Sequence, residues 1–122
     1  MNAFLTARRQ ATQRLIDENP VSIVIHREVA VPDLAGGNRL VSSTTPPIHG
    51  RIVPTKRQMV MRQDEAGIAR FFAWTLIAPW AADLKVGDTF FAQGQNFRVE
   101  RVVWRSLAGE IYAVHAVLEE VS

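Results

Sequence analysis

No cysteine occurs in this sequence of 122 residues, which excludes disulfide bonds and thiolate chemistry. Long apolar runs are also missing, because the longest uncharged one, residues 71–82, is too short for a membrane-spanning helix and contains Pro79. The net charge of +2 at pH 7 is small, so the whole molecule is not a polycation built for nucleic acid. Near the start of the chain the charges follow the apolar residues, which is the wrong order for a secretory signal. We therefore expect a soluble cytoplasmic domain with no membrane contact.

The composition is that of an ordinary globular protein. Apolar residues make up 48% of the sequence and charged residues 21%. This is enough apolar material for a core, and it is unlike the composition of disordered chains. A chain of this length fits one domain, so we expect residues 1–122 to form a single domain.

Residues 2–17 predict an amphipathic helix. Its apolar residues recur at spacings of three and four, with polar residues opposite. The apolar set is Phe4, Leu5, Ala11, Thr12, Leu15 and Ile16, and the polar set is Arg9, Gln10, Gln13 and Arg14. Asn19-Pro20 ends the helix. Two roles remain open for it: covering the core, or docking on a partner subunit.

From Val21 onward the apolar period changes to two, which predicts β-strands. The predicted strands are residues 21–28, 48–53, 71–78, 89–92, 96–104 and 110–118. Residues 31–47 have the composition of a loop, with one extended piece near 39–42. About six short strands separated by turn signals favour a mainly β fold. We expect a small antiparallel β-barrel or sandwich at residues 18–121, with an N-terminal α-helix at 1–17 and long inter-strand loops.

The clearest local pattern is a β-hairpin within residues 85–102, KVGDTFFAQGQNFRVERV. Two apolar runs face each other across residues 93–96, and Gly87-Asp88 forms a turn before the first run. Simple alternation along the second strand would place Arg98, Glu100 and Trp104 on one face.

Residue types that carry catalysis or metal binding do not converge in this sequence. His26, His49 and His115 are scattered over predicted strands without ligand spacing. The carboxylates lie in turns or opposite arginines, and the glycines are single turn residues rather than a phosphate-binding loop. We expect no enzymatic activity, no bound metal and no cofactor.

Residues 51–70 carry an excess of basic side chains. Arg51, Lys56, Arg57, Arg62 and Arg70 outnumber Asp64 and Glu65. The stretch 55–70 predicts a loop that is longer than a connection in a small β domain requires. A solvated loop and a loop that meets DNA phosphates or a partner surface both fit this pattern.

The order of these features resembles the head-closure or stopper proteins of long-tailed phages (siphophages), which are head–tail connector proteins. The likeness runs from the strand VSIVIHR through a Gly-Gly loop, a strand ending IVP, a long loop and an apolar strand ending AP to DLKVGDTFFAQGQNFRVERVVWRSLAGEIYAVHAVLEEV. Its most telling part is K-x-G-D, a short strand, xGxxFxVxxV, a turn and a closing strand. The likeness covers residues 18–121 and rests on layout. The N-terminal helix is longer than a minimal member of that family requires.

The resemblance implies a non-enzymatic virion structural protein that assembles in the host cytoplasm and resides in the phage neck. Such a subunit would form a homo-oligomeric ring, six- or twelve-fold, below the portal and its adaptor ring. The ring helps to retain packaged double-stranded DNA and offers a platform to the tail terminator or tail tube. In this family the loop between the second and third core strands projects into the channel, a position that falls here on residues 55–70. The expected DNA- or channel-facing residues are Lys56, Arg57, Met59, Met61 and Arg62.

Two further surfaces are predicted to contact other subunits. On the N-terminal helix, the expected docking residues are Phe4, Arg8, Arg9 and Leu15. On the hairpin, a mixed face carrying Arg98, Glu100 and Trp104 suits the heterologous contact that a ring requires.

Two other classes of protein remain open. A tail-terminator or other tail-ring protein would share the compact layout and the ring habit, but it has no need for a basic channel loop. A single-strand nucleic-acid-binding β-barrel would use tryptophans and arginines for stacking and phosphate contacts. Trp74, Trp80 and Trp104 lie within apolar runs, which favours packing over base stacking.

Overall fold

The computed structural model describes residues 3–64 and 67–121, and it describes side chains outside residues 55–73. Within these residues the chain forms one helix, α1 (Ala3–Glu18), followed by eight strands. The strands are β1 (Val21–Ile23), β2 (His26–Pro32), β3 (Asn38–Thr44), β4 (Ile48–Asp64), β5 (Gly67–Pro79), β6 (Thr89–Ala92), β7 (Gln95–Leu107) and β8 (Glu110–Val121). The prediction of a mainly β fold with an N-terminal helix is confirmed.

The strands form one antiparallel sheet in the order β1-β4-β5-β8-β7-β6-β2-β3. Only Val24 and Ile25 separate β1 from β2, yet β1 pairs with β4 and β2 pairs with β6. One stretch of chain therefore joins both halves of the sheet, and β1 also contacts β6. The sheet curls around its inner face but stays open, with β3 at one end of the order.

The main core lies on the inner face of this curled sheet. Its largest side chains are Phe90 and Phe97, whose ring centroids lie 5.5 Å apart, and Trp74 meets Phe97 edge-on at 6.2 Å. The other buried members are aliphatic: Ile23, Ile25, Ile52, Leu76, Ala78, Leu84, Ala92, Val99, Val114, Ala116 and Leu118. Because full burial of one large apolar side chain contributes about 1.5–3 kcal/mol, this cluster is the main source of stability.

Helix α1 contacts β4, β5 and β8, and it buries Leu5, Thr12 and Ile16. The predicted stripe is only partly right, because Phe4 and Leu15 are exposed and Arg9 is half-buried on the packed side. Arg9 lies on the packed side because its guanidinium donates to a backbone carbonyl and packs on an indole ring of the sheet.

Tight turns explain why the hairpin at 85–102 was readable from the sequence. Gln93 and Gly94 both have positive φ, as do Ala108 and Gly109 between β7 and β8. Two-residue turns with positive φ at both positions match the right-handed twist of antiparallel strands. The hairpin β6–β7 is confirmed.

Two segments predicted to be loops contain strands instead. Residues 31–47 contribute the end of β2 and all of β3, and these strands pair from His26↔Thr44 to Pro32↔Asn38. The predicted loop 55–70 continues β4 and β5, which pair from Met59↔Phe72 to Asp64↔Gly67 after an irregularity between Pro54 and Met59. A polar or basic composition does not exclude an edge or hairpin strand, which is why composition alone misplaced both segments.

Candidate assembly surfaces

The Lys-x-Gly-Asp motif builds a buried ion pair rather than an active site. Asp88 is 1% exposed, and its carboxylate accepts hydrogen bonds from Nε and Nη2 of Arg27, both at 2.8 Å. It also accepts the backbone N–H of Lys85 at 2.8 Å, across a turn in which Gly87 has φ +94°. The exposed Asp83 adds a second contact to Arg27 at 3.0 Å. The cluster ties the start of β2 to the turn before β6.

Arg27 stays charged in this cluster. Its hydrogen bond to Asp88 raises the pKa of the guanidinium above its already high ordinary value, against the opposing effect of burial. A bidentate pair of this kind also fixes orientation, because the planar guanidinium matches the two carboxylate oxygens. The ion pair therefore fixes the orientation of the first two residues of β2 relative to the sheet.

The hairpin β2–β3, residues 26–44, is the first of two arms that leave the sheet. Every residue of β3 is exposed, and the pairing of the arm with the rest of the sheet is His26↔Thr89. Its exposed apolar residues are Val29, Leu34, Leu40 and Val41. A two-stranded hairpin alone is only marginally stable in water. The exposed apolar residues of this arm therefore indicate a contact surface.

The distal part of the hairpin β4–β5, from Met59 to Phe72, is the second arm. In the described chain, the strand pairings of β1 with β4 end at Gly50 and those of β8 with β5 end at Trp74, so beyond them the two arm strands pair with each other. The predicted channel residues Lys56, Arg57, Met59, Met61 and Arg62 belong to β4 on this hairpin. Their side chains lie outside the described part of the structure, and their role stays a prediction.

The predicted docking residues of α1 separate into two groups. Phe4, Arg8 and Leu15 are exposed, and their spacing puts them on one side of the helix. Arg8 lies with its guanidinium carbon 5.8 Å from the centroid of the Tyr112 ring.

Arg9 holds α1 to the sheet. Its Nε and Nη2 donate to the carbonyl oxygen of Ile111 at 3.1 and 2.9 Å. The guanidinium carbon lies 3.8 Å from the centroid of the Trp80 ring, a cation–π contact. At the other end of the helix, Arg51 donates to the carbonyl of Leu15 and to Glu18, both at 3.0 Å. The helix is therefore bound to the sheet by an arginine near each end.

The structure does not bring Arg98, Glu100 and Trp104 onto one face, so that expectation was wrong. The register between β7 and β8 shifts between Val99 and Arg101, which reverses the alternation along β7. Arg98 lies opposite Glu119 and pairs with it at 2.9 Å, whereas Trp104 lies opposite the buried Val114. A bulge depends on the partner strand, and the pattern of β7 alone did not reveal it.

Trp104 instead lines a shallow groove that the sequence did not indicate. We call it the Trp104 groove; its lining includes Ala82, Leu84, Lys85, Val86, Arg101 and Trp104. Trp104 is 55% exposed and Val86 is 67% exposed, while Leu84 is buried at the base. Both exposed apolar residues stand beside basic ones, which is a typical composition for a protein-binding surface.

The histidines do not meet in the structure. His115 lies on β8, where burial and then the nearby Arg105 lower the pKa of its imidazole below the ordinary value. In the described part of the chain, no three His, Cys, Asp or Glu side chains come close enough to hold a metal ion. The helix found in those same residues is not long and apolar enough to cross a membrane.

No protein-family model and no curated protein matches this chain. Among solved structures, it is similar to a chain from the virion of a native gene transfer agent particle, at 23% identity and a TM-score of 0.50, over 82% of this chain and 93% of that one. It is also similar to xkdH, a protein of the phage-like element PBSX from Bacillus subtilis, at 16% identity and a TM-score of 0.38, over 80% of this chain and 92% of that one. The first likeness shows a shared fold, and the second is too distant to add to it.

Proposed function

We propose that this protein is a non-enzymatic structural subunit of a phage-type particle and, within that particle, a head-closure or stopper subunit of the ring at the head–tail junction. The observation that carries the proposal is the second arm. It lies at the position where the stopper resemblance requires a projecting segment, and its two strands run on beyond the pairings of β1 and β8.

The broader part of the proposal, a particle component, is supported by the shared fold. The gene transfer agent chain is covered over 93% of its length, so the likeness extends across nearly all of that chain. An assembly role also accounts for the first arm and the exposed stripe of α1, since neither contributes to the main core. Contiguous exposed apolar residues on a small protein often mark an interaction site.

The narrower part, retention of DNA, is supported by charge. Lys56, Arg57 and Arg62 lie on the β4 strand of this hairpin, and a closed ring would repeat them in every subunit. A single exposed basic contact is weak and screened by salt, whereas many phosphate contacts together bind appreciably.

The test is genetic and uses the gene in its own phage or prophage. Deleting the gene should yield DNA-filled heads that lose their genome and remain separate from finished tails. A Lys56→Ser, Arg57→Ser, Arg62→Ser variant should still form rings of six or twelve subunits in electron micrographs, but it should leak DNA faster from tailless heads. Arg14→Ser, Arg39→Ser, Arg105→Ser is the matched control, because it removes the same charge from three exposed positions elsewhere in the chain.

Three outcomes would contradict the proposal. Equal leakage from both triple variants would remove the channel role of Lys56, Arg57 and Arg62. Tails of uncontrolled length after deletion would instead identify a tail terminator. Tight, salt-sensitive binding of single-stranded oligonucleotide by the isolated protein, with particles unaffected by the deletion, would identify a nucleic-acid-binding barrel.

A further inference from the structure

We propose that the tip of the first arm docks into the Trp104 groove of a second copy of this chain, so that this contact joins neighbouring subunits. The inference rests on the proposed ring and names the surfaces that close it. One subunit would thus supply an apolar projection and the next would supply its receptor.

The projection is Leu34, which stands fully exposed at the turn of the arm. The turn around it is held by Asp33, whose Oδ1 accepts the N–H groups of Ala35 and Gly37 at 2.9 and 3.0 Å. The Asp33 N–H also donates to the carbonyl of Gly37 at 2.8 Å. A turn that is ordered before binding lowers the entropy lost on association. Leu34 is therefore presented in a fixed position although it contributes nothing to the core.

The receptor is the space between Val86 and Trp104, with the buried Leu84 beneath it. A half-exposed tryptophan beside an aliphatic side chain offers a large apolar area to a leucine. Tryptophan is enriched among the residues that dominate binding energy at protein interfaces.

The charges of the two surfaces are complementary. Lys85 and Arg101 are exposed at the groove and outnumber its one carboxylate, Asp83. On the arm, Glu28 and Asp33 outweigh Arg39 once the paired Arg27 is set aside. A basic groove and an acidic arm attract each other, whereas two arms or two grooves repel, which favours a head-to-tail contact.

The position of the arm requires that the receptor is the groove of a neighbouring subunit. Arg27 pins the root of the arm to Asp83 and Asp88, the same turn that borders the groove. Leu34 at the tip lies seven residues beyond Arg27, which is about 24 Å at roughly 3.4 Å per residue. A tip held at that distance does not fold back onto its own root. Repeating a contact between two different surfaces closes into a ring when the rotation fits.

The absence of cysteine allows a direct test by cross-linking, because introduced thiols are the only ones in the chain. A chain carrying both Leu34→Cys and Val86→Cys should give a ladder of covalent multimers on non-reducing gels after mild oxidation at high protein concentration. The matched control combines Leu34→Cys with Phe91→Cys, since Phe91 is exposed to a similar degree on β6 outside the groove. Mixing the two single variants of the test pair should give dimers only.

Each result either supports or contradicts the docking of the arm in the groove. A ladder at least tenfold stronger than in the Phe91 control, with dimers alone in the mixture, supports docking of arm in groove. A ladder no stronger than the control overturns the inference, as do dimers of Leu34→Cys alone, which would indicate contact between two arms. Rings seen in micrographs without the Leu34–Val86 cross-link overturn this inference and leave the proposed function standing. A gene that is dispensable for particles overturns the proposed function instead.

Discussion

Replacing Asp88 with alanine should destabilise the protein by about 3–5 kcal/mol, the usual cost of removing one partner from a buried ion pair. The carboxylate is almost completely buried and accepts three hydrogen bonds, two from Arg27 and one from the backbone of Lys85. Without this carboxylate, Arg27 loses its main counter-ion, although only 15% of its side chain is exposed to water. Because domains of this size have about 5–15 kcal/mol of stability, the loss is a large fraction of the total.

Thermal and urea unfolding measure this effect. A loss of 3–5 kcal/mol corresponds to a fall in Tm of about 10–20 °C for a domain of this length. Asp83→Asn is the matched control, since Asp83 contacts the same guanidinium with a side chain that is 67% exposed, and exposed pairs contribute about 1 kcal/mol or less. Equal shifts for Asp88→Ala and Asp83→Asn would refute the assignment of the motif to a buried structural ion pair. The double variant Arg27→Met, Asp88→Ala should recover part of the loss, because no buried charge is left unpaired.

Three further predictions concern the sheet and the helix. Gly50→Ala should cost about 1–3 kcal/mol by urea unfolding, because its Cβ would lie 2.8 Å from the carbonyl oxygen of Ile77 and from Leu76 Cδ1; an unchanged midpoint would show that the strands can separate there. Arg9→Ala should loosen α1, seen as faster amide exchange in residues 3–18 than in β7, since two hydrogen bonds and the contact with Trp80 are lost; uniform exchange across the chain would contradict this. The lowered pKa of His115 means that the folded protein binds this proton less readily than the unfolded chain, so the free energy of unfolding should fall as pH drops from about 7.5 to 5.5. His115→Gln should flatten that slope, and identical slopes would contradict the assignment.

Local signals in the sequence predicted much of the fold. The hairpin β6–β7 and its turn could be read because glycine and the alternating apolar residues act within a few positions of each other. The fold class followed from the number of such signals. Simple alternation failed at the bulge between Val99 and Arg101, because a register shift depends on how β8 lies against β7.

The candidate surfaces were harder to predict because they depend on distant partners. Arg9 was placed on the polar face of the helix, although its position is decided by Ile111 and Trp80, far along the chain. Residues 31–44 of the first arm were predicted to be a loop because their composition is polar and rich in turn residues. The Trp104 groove joins residues from two separate segments, and only the folded sheet brings Val86 next to Trp104.

The arrangement of strands also has a consequence for folding. Arg9 reaches a carbonyl 102 residues away, β5 lies beside β8, and β1 lies beside β4. Contacts between distant parts of a chain form slowly, because a long loop must close before any of them stabilises the structure. Strand β8 pairs with both β5 and β7 and also contacts the helix. During synthesis, the edges of β5 and β7 that pair with β8 therefore stay without this partner until β8 has been made. We therefore expect the emerging chain to complete its fold only after β8 has left the ribosome, and this interval is when it is most exposed to aggregation.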